Sequence, residues 1–100
     1  MDGSGNSEAV VRLAGDVDVA MAPALRYEIT EAIESQPPGG RVVVDLAQVE
    51  FVDSMTLGTL AELKARAEHE GIAFVLAAPS PRVVRILHIA GLAGLFGVDG

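Results

Sequence analysis

One hundred residues, half of them apolar, are enough for one domain with its own hydrophobic core and no staples. The formal net charge is −7 with no basic cluster, which argues against nucleic acid or anionic lipid as a partner. Cysteine is absent, so disulfides, thiolate metal sites and cysteine nucleophiles are excluded.

The chain opens on Met1-Asp2-Gly3-Ser4-Gly5-Asn6-Ser7, polar and acidic, the reverse of a secretory signal. Residues 1–8 are expected to form a flexible leader and residues 9–98 a single domain. Residues 9–14 (AVVRLA) make a short apolar strand, with Gly15-Asp16-Val17-Asp18 as a turn or strand end. The pattern turns helical from Ala22. Pro23 suits a first turn, and Leu25, Ile29, Ala32 and Ile33 recur at i, i+4, i+7 and i+8. Pro37-Pro38-Gly39-Gly40 ends that helix in a loop. Residues 41–46 (RVVVDL) are almost continuously β-branched, as a strand covered on both faces requires. Phe51-Val52-Asp53 continues it after an irregularity around residues 47–50.

A second helix is expected from Met55 to His69, with Ser54 as its N-cap and Leu57, Leu60, Ala61 and Ala67 as its buried stripe. Gly71 closes it, and residues 72–77 (IAFVLA) form the next buried strand. Ser80 and Pro81 are the cap and first residue of a third helix reaching about Ala90. Gly91 stops it, and residues 92–98 are expected to hold a turn and a short final strand. The order β-α-β-α-β-α-(β) predicts an α/β domain with a mixed, largely parallel sheet flanked by helices. No apolar stretch approaches the roughly 20 residues of a membrane span, and a soluble cytoplasmic protein is expected.

Three segments, in order and at matching spacing, resemble the STAS family, best known from bacterial anti-sigma-factor antagonists. Leu13-Ala14-Gly15-Asp16-Val17-Asp18, followed by Ala22-Pro23-Ala24-Leu25, is similar to the family's "L-x-G-E-L-D…A-x-x-L" opening. Val43-Val44-Asp45-Leu46 leading to Phe51-Val52-Asp53-Ser54, then Leu57 and Leu60, resembles "V-D-L…F-I-D-S-x-G-L-x-x-L". Pro79-Ser80-Pro81-Arg82-Val83, Leu87, Gly91-Leu92 and Leu95-Phe96 resemble the ending "P-S-x-x-V-x-x-x-L-x-x-x-G-L-x-x-L-F".

The resemblance implies a partner surface around the start of the second helix. In regulated members the partner is an anti-sigma factor of the serine-kinase type, which phosphorylates a Ser or Thr two residues after the motif aspartate. Here that position is Met55, which has no hydroxyl, and the glycine that usually follows is Thr56. The family's first strand and final helix are short or missing, so the chain reads as a trimmed domain.

Asp18, Asp53, Ser54, Met55 and Thr56 are the expected contact patch. Unpaired N–H groups at a helix start favour an acceptor oxygen or a bound anion, so Ser54 or Thr56 is a candidate phospho-acceptor; capping is the plainer role for Ser54. A phosphate there would add nearly two negative charges close to Asp53 and Asp18 and repel an acidic partner. Between a relocated acceptor and a module that binds without being switched, the second is preferred, because a kinase aims its transfer at one geometric position. Met55 is either an exposed contact or an inward side chain.

Asp18 and Asp53 as a paired carboxylate or magnesium site compete with their commoner roles as turn formers and caps, so no metal is expected. His69 and His88 have no second ligand at metal spacing and read as structural. Ser54 lacks a G-x-S-x-G elbow, and the glycines form no phosphate loop, so no enzyme and no cofactor are expected. Lys64, Arg66, Arg82 and Arg85 read as solvated faces. A different class is a constitutive STAS subunit or scaffold domain of a transport or signalling complex. Oligomeric state stays open, a weak homodimer included.

Overall fold

Three strands, β1 (Glu8–Val17), β2 (Arg41–Val52) and β3 (Ala73–Ala77), lie side by side in that order, every pair parallel. The computed structural model describes residues 7–98. Most of the expected leader therefore lies outside the described residues, while Glu8, its last residue, already pairs with Arg41. The helices are α1 (Ala22–Glu34), α2 (Ser54–His69), α3 (Pro81–Ile89) and α4 (Ala93–Phe96), with a 3-10 turn at Val19–Met21. The α/β class and the parallel sheet are as expected, with no antiparallel pair among the described residues.

Parallel neighbours need a crossover, and α1 and α2 supply the two crossovers. The aliphatic side chains of the sheet's inner face, Val11, Val42, Val44, Phe74 and Leu76 among them, are buried. They share one core with Leu25, Ile29 and Ile33 of α1, Leu57, Leu60, Leu63 and Ala67 of α2, and Val83 and Leu87 of α3. Leu63 takes the fully buried place expected of Ala61, which is half-buried.

The irregularity expected near residues 47–50 is a pair of bulges. Arg12 to Ala14 on β1 spans Asp45 to Gln48 on β2, and Gly15 to Asp16 spans Val49 to Phe51. Each extra residue resets which side faces inward, so burial runs Val42, Val44, Leu46 and then Val49 and Val52. Asp45 supports the first bulge by accepting a hydrogen bond from the Ala47 amide at 2.9 Å.

One ending differs from the sequence reading. The segment after Gly91 holds no strand; it forms α4, with Phe96 set against Phe74 (ring centroids 6.4 Å apart) and Gly97 closing the turn at a φ of 68°. A left-handed residue favours glycine and ends the segment before extended backbone begins.

At α3 the expectation holds. Ser80 has extended backbone, its hydroxyl accepts from the Val83 amide at 3.2 Å, and Pro81 occupies the first turn. Ser80→Ala is expected to cost about 1 kcal/mol, read as a shift in the urea midpoint without a change in slope. An unchanged midpoint would show that the cap contributes nothing.

Candidate functional site

In an open parallel sheet, the carboxyl ends of the strands are where the chain turns outward and presents side chains. Here β1 ends at Val17 and β2 at Val52, paired with one another. Asp53 follows directly and ties the two exits together. Its amide donates to the Val17 carbonyl at 3.2 Å. Its carboxylate accepts from Thr56 N at 2.8 Å through Oδ1 and from Val19 N at 3.0 Å through Oδ2. One side chain thus caps α2 and anchors the 3-10 turn 34 residues earlier.

The cap of α2 is therefore Asp53, and Ser54, expected to be the cap, is the first helical residue. The physical reason lies across the sheet. The Asp53–Val17 bond keeps Asp53 extended (φ −81°, ψ 163°), which is the backbone a capping residue needs. The Thr56 side chain, close to the carboxylate but without hydrogen-bond geometry, the Thr56 amide and the Val19 amide hold the Asp53 pKa below the usual carboxylate value, against a smaller opposing effect of desolvation.

Asp18 caps the 3-10 turn. Its Oδ1 accepts from the Ala20 amide at 3.0 Å and its carbonyl from the Met21 amide at 2.9 Å. Both aspartates thus engage backbone donors as turn formers and caps. Among the described residues no group of three or more His, Cys, Asp or Glu side chains is arranged to hold a metal ion.

Ser54 is exposed, and Met55 is 68% exposed, pointing outward. Thr56 corrects the sequence reading. It is fully buried, with its hydroxyl out of solvent and without a hydrogen-bond partner. In this fold it supports the site from beneath and offers no hydroxyl to a partner. The cause is helical spacing: Thr56, Leu60, Leu63 and Ala67 stand at i, i+4, i+7 and i+11 and share the buried face of α2.

Two residues were not anticipated. Val19 is 51% exposed, and Met21 is exposed beside it on the anchored turn. With Met55 they place three flexible or branched apolar side chains at one end of the molecule. A signal was available, since V-x-M between two turn formers puts apolar residues where solvated ones are usual. Helix starts leave their first N–H groups free. Asp53 takes that of Thr56 through its carboxylate, and its carbonyl accepts from the Leu57 amide. The tip thus carries three exposed apolar side chains beside the Asp18 and Asp53 carboxylates.

A family model described as Mlab, STAS domain, matches residues 2–97. The chain belongs to the STAS domain family. It is 31% identical over 91 residues to the anti-sigma-F factor antagonist RsfB of Mycobacterium tuberculosis, spanning 91% of this chain and 72% of that protein. A solved structure of an anti-sigma factor antagonist from Mycobacterium paratuberculosis is 32% identical, with a TM-score of 0.70 over 98% of this STAS chain and 80% of the other. A sulfate transporter family protein from Wolinella succinogenes shares the fold at a TM-score of 0.75 and 20% identity, over 94% and 73% of the two chains. No described helix is long and apolar enough to cross a membrane.

Proposed function

We propose that this STAS domain is a non-enzymatic regulatory module that acts in the cytoplasm as an anti-sigma factor antagonist. It binds an anti-sigma factor of the serine-kinase type through the start of α2. The observation that carries the reading is the outward Met55, 68% exposed on a helix start that Asp53 holds rigidly. The likeness to RsfB and to the mycobacterial antagonist supports the class of partner.

Met55 stands two residues after Asp53, where regulated members carry the accepted hydroxyl. Association is therefore constitutive, with Asp18, Asp53, Ser54 and Met55 forming the contact together with Val19 and Met21. Ser54 remains the one exposed hydroxyl of the patch. A kinase aligned on the neighbouring position does not reach it in line, because phosphoryl transfer tolerates little misplacement.

The test mixes the protein with candidate anti-sigma kinases and ATP, then measures complex formation and intact mass. A stable complex without a phosphate adduct is expected, while Met55→Ser gains one phosphate and releases the partner. An adduct on the unmodified chain that disappears in Ser54→Ala would overturn constitutive binding and assign the acceptor to Ser54. Failure to bind any such kinase would favour the second reading, a constitutive STAS subunit of a transport or signalling complex.

A further inference from the structure

We propose that the outer edge of β1 pairs antiparallel with β1 of a second copy, with Val10 on the two-fold axis and Glu8 opposite Arg12 of the partner. Three independent features of the strand converge on that register.

The first is hydrogen-bond parity. Residues along a strand direct their N–H and C=O alternately to its two sides. At one end of β1 the Ser7 carbonyl accepts from Arg41 of β2, and at the other the Val17 carbonyl accepts from Asp53. Odd-numbered residues therefore face β2, and Glu8, Val10 and Arg12 direct their backbone groups to the open edge. Among the described residues no strand covers that edge, since the sheet order is β1-β2-β3. An antiparallel two-fold through Val10 makes Val10 a hydrogen-bonded pair with its own copy, and Glu8–Arg12 the next such pair on either side.

The second is charge. Glu8, Val10 and Arg12 share the sheet face away from the helices. Within the chain Glu8 pairs with Arg41 at 3.1 Å and Arg12 lies 3.6 Å from Asp45, while the Arg12 side chain stays 77% exposed and open to a second carboxylate. In the proposed register each Arg12 lies directly across from a Glu8, twice by symmetry. Opposite charges placed so across an antiparallel pair are favourable and like charges unfavourable. The chain is thus complementary to itself despite its net charge of −7.

The third is apolar continuity. Val10 is 41% exposed and heads a row that runs through Val43 to Val75 across the outer face. Pairing extends this row into the second sheet. β1 has ten residues and no proline, and its charges Glu8 and Arg12 oppose most other partners while fitting this register, whereas β3 has five residues and no charge to set a register. The paired segment lies at the amino end of β1, away from the Val17–Asp53 tip, so each copy keeps its binding patch open.

Sedimentation equilibrium between 10 μM and 1 mM, concentrations of the order at which a weak dimer is half-formed, is the test. The unmodified chain is expected to move from monomer to dimer. Val10→Pro removes only the outward N–H and is expected to stay monomeric with its circular dichroism unchanged. Glu8→Arg and Arg12→Glu are each expected to raise the dimer dissociation constant about tenfold. An equimolar mixture of those two variants is expected to associate at least as well as the unmodified chain, because both cross-strand pairs are then attractive. Monomer throughout, a dimer that survives Val10→Pro, or a mixture no better than its separate components would each overturn the proposal.

Discussion

Asp53→Ala is expected to destabilise the fold by about 2 kcal/mol, the upper end for loss of an N-cap. A lost cap alone leaves one amide unpaired; here the Val19 amide loses its acceptor as well. The 3-10 turn then keeps the Asp18 cap and its own backbone bond from the Ala22 amide to the Val19 carbonyl, without a tie to α2 through Asp53. The loss is therefore expected in two places, as faster hydrogen exchange at Thr56 and at Val19. Asp53→Asn keeps one carbonyl acceptor but presents an amide NH2 donor where the second acceptor was, so its stability is expected to fall between those of the unmodified chain and Asp53→Ala.

The acid dependence has a definite sign. The folded-state pKa of Asp53 lies below its unfolded value, near 4. Its contribution is therefore complete above the unfolded pKa and is lost as pH falls through the folded one. The gap between the unmodified chain and Asp53→Asn is expected to be larger at pH 7 than at pH 3, measured by urea unfolding. A gap independent of pH, or a neutral Asp53→Ala, would show that the carboxylate does not clamp the two strand exits.

Met55→Asp is expected to weaken binding to the proposed anti-sigma partner by about thirtyfold, or about 2 kcal/mol, the scale of a central anchor residue. The substitution removes the most exposed member of the apolar tip. It also adds a negative charge beside Asp53 and Asp18, where a phosphate would sit in a switched relative. Stability is expected to move the other way. An acidic residue in the first turn of α2 interacts favourably with the helix dipole, by roughly 0.3–1 kcal/mol. Calorimetric titration together with thermal unfolding separates the two effects. Affinity equal to that of the unmodified chain would place the contact elsewhere, and a matching fall in stability would make the binding loss indirect. Met55→Leu, which keeps the apolar surface, is expected to bind nearly as well.

Much of this architecture is written along the chain. The run Arg41 to Leu46 needs a strand with covered faces, Pro23 and Ser80-Pro81 mark helix starts, and Pro37 to Gly40 forces a break. Those signals depend on residues within a few positions of each other, so α1, α3 and the three strands along the chain are legible in sequence. The order of elements and the proximity of Asp18 to Asp53 follow from the parallel topology.

What stayed hidden depends on partners far away in sequence. Asp53 and Ser54 are equally good caps in isolation; the bonds from Asp53 to Val17 and Val19 choose between them. Thr56 carried the spacing of a core residue, but its hydroxyl read as a surface group until α2 was laid on the sheet. The last segment became a helix because Phe96 meets Phe74 across the core. Periodicity and turn chemistry are local properties, whereas capping partners, burial and the exposure of Met55, Val19 and Met21 arise from contacts that exist only after the chain has closed on itself.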